Sequence, residues 1–189
     1  MYLNDDNLEN ISNLLEQGGV ILYPTDTIWG LGCDATNIEA IEKIIHIKER
    51  SPEKGFVLLV DSLEMLKNFV KYIHPKIETL LSYHNRPLTV IYPDPKNLPT
   101  KVFAPDGSAG IRITKDEFCK ELIWGLGKPI ISTSANLTGE AFPANFGEIN
   151  SLIIQQVDYV VKYRQNDHRA HEPSVIVKMS GKKELEFLR

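Results

Sequence analysis

In Val20-Ile21-Leu22-Tyr23-Pro24-Thr25-Asp26-Thr27-Ile28-Trp29-Gly30-Leu31-Gly32, four apolar residues run unbroken to a proline and then give way to hydroxyls and a carboxylate. An apolar run without alternation marks a strand covered on both faces. Ligands of open α/β sheets sit beyond the carboxyl ends of such strands, so Thr25, Asp26 and Thr27 are candidates to orient a polar ligand. The same residues also read as an ordinary corner in which the threonines and Asp26 tie up backbone amides, and spacing alone favours the corner. Gly30 and Gly32 lack the third glycine and the following helix of a phosphate-binding fingerprint.

Outward from this strand, helical and extended patterns alternate. Upstream, Asn4 or Asp5 is placed to cap a helix with Leu8, Ile11, Leu14 and Leu15 on one face, stopped by Gly18-Gly19. Downstream, Asn37 caps a second helix with Ile38, Ile41, Ile44 and Ile45 inward, and Lys48 and Arg50 fall at its end. Phe56–Val60, Leu88–Tyr92, Ala109–Ile113, Pro129–Ser132 and Val157–Val161 read as strands. Helices are expected around Leu63–Tyr72, Pro75–Tyr83, Asp116–Leu126 and Phe146–Gln155. Pro93, Pro95, Pro99 and Pro105 make 93–105 a loop or stiff crossover. Gln165–Glu172 is a polar, mobile connection, and Val175–Met179 with Leu185–Leu188 forms a closing hairpin. The alternation defines the α/β class, and with no linker the expectation is one domain over 1–189.

Composition narrows the function. The 189 residues are 42% hydrophobic, enough for a substantial core, and the net charge of −4 argues against a surface built throughout for nucleic acid. The two cysteines, Cys33 and Cys119, belong to no CxxC pair, so neither a disulfide framework nor a zinc knuckle is expected. The five histidines show no zinc-ligand spacing. The acidic N-terminus has no apolar signal region, and no run approaches the length of a membrane span, which fits a cytoplasmic protein.

Two separated pieces carry the chemistry. Lys48-Glu49-Arg50 offers two cations at a helix end, where the helix dipole favours them in any case; Arg50 suits bidentate oxyanion capture and Lys48 a point charge. Ser132-Thr133-Ser134-Ala135-Asn136 offers hydroxyls and an amide on small residues, and also reads as a capped turn. Together they suit an anion such as a phosphate or carboxylate. Arg112 sits inside the apolar strand Gly110-Ile111-Arg112-Ile113, so it meets a buried carboxylate or points into a ligand site; the site is the favoured reading.

These residues carry a resemblance to the YrdC/Sua5 family of threonylcarbamoyl-AMP synthases. The elements arrive in the family's order: PTDTIWGLG at 24–32, KxR at Lys48 and Arg50, RPLT at 86–89, GIRI at 110–113, GKPIISTSAN at 127–136, PSVIV at 173–177 and the final Leu188-Arg189. The resemblance implies a twisted, mostly open sheet flanked by helices around a large, locally positive concave groove. It implies formation of threonylcarbamoyl-AMP and pyrophosphate from L-threonine, bicarbonate or CO2, and ATP, for the t6A modification of tRNA. Lys48, Arg50, Ser134 and Asn136 align with the phosphate and nucleotide contacts of the reaction. Lys54, Ser108, Ala144 and Arg189 align with further ATP contacts. Thr27, Arg112, Ser134 and Ser174 align with the threonine side, Arg112 taking the carboxylate. No protein metal site is implied; Mg2+ is expected on the ATP phosphates.

The sequence departs from the family pattern at Trp29, which replaces tyrosine, at His84-Asn85-Arg86, at Lys54, which replaces asparagine, and at Ser174-Val175. The chain resembles the short form without an extra C-terminal domain, which works with separate, transiently bound proteins that transfer the threonylcarbamoyl group. A rival reading is a double-stranded-RNA-binding or ribosome-maturation factor of the same fold without synthase activity; weak RNA contact fits either. A carbamoyl-transfer domain of hydrogenase maturation is a second rival, and is expected to bring zinc-finger and acylphosphatase segments.

Overall fold

A computed structural model of the chain describes residues 2, 3, 6–49, 55–169 and 171–189. The expected α/β alternation is present, with the strands sorted into two principal sheets and a short antiparallel pair, β1 (Tyr2–Leu3) with β2 (Asp6–Asn7). The four-stranded sheet contains β3 (Ile21–Tyr23), β4 (Gly30–Gly32), β9 (Thr133–Ser134) and β10 (Tyr159–Val160), in the order β10-β3-β4-β9. The six-stranded sheet contains β5 (Val57–Val60), β6 (Leu88–Tyr92), β7 (Ala109–Ile113), β8 (Ile130–Ile131), β11 (Val175–Met179) and β12 (Leu185–Phe187), in the order β12-β11-β6-β7-β5-β8. β5 runs parallel to β7, β6 runs antiparallel to it, and β11 and β12 close the expected hairpin.

The corner after β3 contains a strand of its own. Gly30-Leu31-Gly32 pairs with Tyr23-Leu22-Ile21 on one side, and Gly30 and Leu31 pair with Ser134 and Thr133 on the other. The glycines are there for close approach: a Cβ on Gly32 would lie 2.5 Å from the Tyr23 ring and 2.9 Å from the Ile131 carbonyl. The segment 129–134 is shared between the sheets. Ile130 and Ile131 pair with Leu59 and Leu58 of β5, while the Ile131 N–H donates to the Cys33 carbonyl and β9 continues along β4. The buried Tyr23 hydroxyl donates to the Ile131 carbonyl at 3.0 Å, which fixes this seam from beneath.

The helices are α1 (Leu8–Glu16), α2 (Ile38–Ile47), α3 (Leu63–Phe69), α4 (Pro75–Tyr83), α5 (Glu117–Leu126) and α6 (Ser151–Gln156). Asn37 caps α2 as expected, its side chain accepting from the Ala40 N–H. The cap of α1 is Asn7, which accepts from Asn10; Asn4 and Asp5 lie outside the described residues. Ile38, expected inward, is 50% exposed, because the buried stripe of α2 runs through Ala40, Ile41, Ile44 and Ile47. The single helix expected from Phe146 divides into a 3-10 turn, Phe146–Glu148, and α6, since Asn150 caps a new helix through the Leu152 N–H. The polar 165–172 stretch is tied to the body through its neighbour Arg164, which donates to the Thr25 carbonyl at 3.0 Å and to Asp116 at 2.7 Å.

The core forms two apolar clusters, one around Leu22, Leu31, Ile41, Leu58 and Ile111, the other between α1 and α5 around Leu15, Ile21 and Phe118. Among the described residues no helix is long and apolar enough to cross a membrane. Cys33 and Cys119 are buried, and burial pushes both thiols well above their ordinary value. The thiolate is the reactive form, so neither cysteine should react with an aromatic disulfide reagent at pH 8 until denaturant is added. A thiol that reacts fast in the native protein would contradict this packing.

Candidate active site

A cavity of about 370 Å³ opens where the two sheets meet, lined by the 27–30 corner, Val57, Arg112, Ser132–Ser134, Ser174, Ile176 and Arg189, with Trp29 and Phe142 among its apolar walls. That volume lies within the range of small-molecule sites. Among the described residues, its lining carries two guanidiniums and no Asp or Glu side chain.

Arg112 stands on β7, where pairing with Leu59 on one side and Thr89 on the other fixes its backbone. Its side chain is 4% exposed. The Nη1 donates to Thr27 Oγ1 at 3.1 Å, and Nη2 lies 3.2 Å from Asp26 Oδ1. Arg112 therefore meets a buried carboxylate and also lines the cavity. The corner before it is internally bonded. Thr25 and Thr27 hydroxyls are 2.8 Å apart, Thr25 Oγ1 accepts from the Thr27 N–H, and Asp26 Oδ2 accepts from the Lys115 N–H at 3.0 Å. The corner's side chains tie up backbone amides, as its composition suggests, and Thr27 also lines the cavity.

Arg189 extends the β11–β12 hairpin: its carbonyl accepts from the Ile176 N–H, and its Nε donates to the Ser174 carbonyl at 3.1 Å. Burial first, and the Arg112 charge second, push the Arg189 guanidinium below its ordinary value. With Arg112 already paired to Asp26, the two guanidiniums leave the described cavity lining one positive charge in excess, which favours an anionic ligand. Ser174 is buried beside them and shares a hydrogen bond of 2.8 Å with Thr89.

Lys48 of the KxR piece meets the distant SxN loop. Lys48 is buried, and its Nζ donates to the carbonyls of Ser134 at 2.5 Å and Asn136 at 2.6 Å. The Thr138 hydroxyl returns a bond to the Lys48 carbonyl at 2.8 Å. Asn136 turns its amide nitrogen onto the carbonyls of Leu137 and Glu140, while its Oδ1 is buried without a partner among the described residues. Ser134 lines the cavity; Lys48 and Asn136 stand behind it and shape the loop. Arg50 and Lys54 lie outside the described residues. Ser108 and Ala144 do not line the cavity: Ser108 donates to Asp106 at 2.6 Å, and the Ala144 N–H donates to Glu148 at 2.9 Å. Trp29, a departure from the family pattern, is buried with its ring 4.9 Å from that of Phe146.

The role of Asp26 behind Arg112, and of Thr89 behind Ser174, went unread in the sequence. Their signal was there: each is a polar residue next to an apolar strand run, and each needs a buried partner. Among the described residues, no group of three or more His, Cys, Asp or Glu could hold a metal ion. The described cavity lining offers no Asp or Glu side chain through which the protein would itself hold Mg2+.

Fold and site together define an α/β protein with a cationic, hydroxyl-lined cavity suited to small anionic ligands. A family model for Sua5, YciO and YrdC proteins, with the description "Telomere recombination", matches residues 13–189. The chain belongs to this Sua5/YciO/YrdC family. A threonylcarbamoyl-AMP synthase from Pseudoalteromonas translucida is 36% identical over 150 residues, covering 78% of this chain and 80% of the relative. Among solved structures, P. abyssi Sua5 complexed with L-threonine superposes with a TM-score of 0.83 at 21% identity, covering 96% of this chain and 53% of the other. The chain thus spans about half the length of that Sua5. YciO from E. coli superposes at 0.82 with 24% identity, covering 96% of this chain and 87% of the other.

Proposed function

We propose that the protein is a threonylcarbamoyl-AMP synthase, which makes its product and pyrophosphate from L-threonine, bicarbonate or CO2, and ATP. The observation that carries the reading is the cavity holding two guanidiniums amid hydroxyls, with Ser134 on its wall in the loop that Lys48 bonds. The synthase relatives supply the chemistry to which these parts are matched.

The threonine amine forms a nitrogen–carbon bond to CO2 and loses a proton, giving a carbamate. A carbamate oxygen then bonds to the α-phosphorus of ATP as the bond to the bridging oxygen breaks, and pyrophosphate leaves with its electron pair. Such transfer needs in-line positioning and charge neutralisation more than a protein nucleophile. Arg112 takes the threonine carboxylate, with Thr27 and Ser174 beside it. Arg189 faces the nucleotide phosphates; Arg50 and Lys54, outside the described residues, are assigned to the nucleotide by the family motif alone. Ser134 presents its hydroxyl to the reacting groups, and Lys48 and Asn136 hold its loop. Mg2+ enters as the counter-ion of ATP, as part of the substrate. The product feeds t6A formation on tRNA in the cytoplasm through separate transfer proteins.

The test is pyrophosphate release from protein incubated with ATP, Mg2+, L-threonine and bicarbonate. Omission of either threonine or bicarbonate should reduce release to background. Release that ignores both would sink the assignment.

A further inference from the structure

Arg112 is held from behind by a residue the substrate cannot reach. Asp26 is 8% exposed in its side chain and is absent from the cavity lining, whereas Arg112 is part of it. The two Asp26 oxygens divide their work: Oδ2 accepts from the Lys115 N–H, while Oδ1 faces Arg112 Nη2 at 3.2 Å and has no other partner among the described residues. With Thr27 Oγ1 on Nη1, the guanidinium is gripped at both terminal nitrogens by consecutive parts of one corner.

We propose that Asp26 is a positioning residue that aims the Arg112 fork at the carboxylate of the amino-acid substrate; this rests on the synthase reading above. A guanidinium recognises a carboxylate through two parallel N–H···O bonds, so its plane matters as well as its charge. A buried carboxylate on the far side sets that plane before substrate arrives, and no ordering is left for binding to supply. The corner's own stability is a separate matter, carried by the Lys115 N–H on the other oxygen and by the two threonines.

Asp26→Asn separates the two roles. It keeps a carbonyl oxygen for Lys115 and removes the charge facing Arg112. The expected result is a KM for L-threonine raised about tenfold through loss of fork alignment, with the KM for ATP changed by less than about twofold, as for an independent site. In an Arg112→Lys background the same change should add less than about twofold, because a residue acting through the fork has nothing left to aim. Equal rises for threonine and ATP, or effects that multiply in the double variant, would overturn the proposal. Should Asp26→Asn not fold, Asp26→Glu keeps the charge and displaces it by one methylene, with the same selective loss for threonine expected; loss shared with ATP overturns the proposal there too. Calorimetric titration of L-threonine into each protein distinguishes the failures. A wild type that binds threonine without releasing pyrophosphate overturns the synthase reading alone, and the binding comparison still decides the role of Asp26. A wild type that binds no threonine overturns both.

Discussion

In Lys48→Met, threonine-dependent pyrophosphate release falls by about a hundredfold or more, and the melting temperature drops by about 5–10 °C. Methionine keeps most of the apolar stem, so the change isolates the ammonium. That group donates to the carbonyls of Ser134 and Asn136, at 2.5 and 2.6 Å, inside a buried setting. A hydrogen bond from a charged donor contributes about 1.5–3 kcal/mol, and removing one partner leaves buried acceptors unsatisfied. The stability loss should therefore be about 2–3 kcal/mol, which gives the thermal shift at about 2–4 °C per kcal/mol for a chain of this size. The rate loss has a different origin. Without the ammonium the 134–136 loop relaxes, and a displacement of about 1 Å at a reacting group can cost a hundredfold. Thermal denaturation and the pyrophosphate assay on one preparation measure both effects. Wild-type turnover in a destabilised Lys48→Met would show that the lysine serves the fold alone.

Arg112→Lys should raise the KM for L-threonine about thirtyfold, the equivalent of about 2 kcal/mol for a lost charge-assisted contact, and leave the KM for ATP nearly unchanged. Lysine keeps the charge but cannot present two parallel donors, nor reach Thr27 and Asp26 together as the guanidinium does at 3.1 and 3.2 Å. Selection of threonine over serine rests on one methyl group, worth about 1 kcal/mol, so measurable serine use is expected in the wild type. In Arg112→Lys both amino acids should weaken together, because both carry the carboxylate. Competitive titration of threonine, serine and ATP checks each arm; an equal loss for ATP would move Arg112 to the nucleotide side.

Much of the fold was legible because burial leaves a local pattern. The unbroken run to Tyr23, the run through Val57–Val60 and the cap at Asn37 needed only local rules, and the structure has each. Gly30–Gly32 was not legible, since two glycines in three residues give neither an apolar run nor an alternation. What makes them a strand is the Tyr23 ring and the 131–134 backbone, which the local sequence cannot show. Ile38 misled because a helix stripe has a centre as well as a period, and its centre falls on Ile41 and Ile44. At the site, residue types pointed to an anion, and the motif resemblance brought KxR and SxN together. Where each polar atom finds its partner was hidden. The Lys48 ammonium bonds backbone carbonyls, the Asn136 amide caps its own loop, and Asp26 stands behind Arg112. Those choices are set by register across strands far apart in sequence.

The shared segment 129–134 also governs how the chain comes together. β4 and β5 are both made before it, yet each takes one of its pairings from this segment, β4 from β9 and β5 from β8. During synthesis the edges of β4 and β5 stay open until residue 134 has left the ribosome, and open edges are sites of wrong pairing. Contacts between partners so distant in sequence make assembly slow, since the intervening loop must close before any bond rewards it. The same dependence leaves little room for one sheet to persist without the other. The loop that presents Ser134 is thus completed in the step that joins the two halves, and a chain interrupted before it has neither a finished sheet nor a binding cavity.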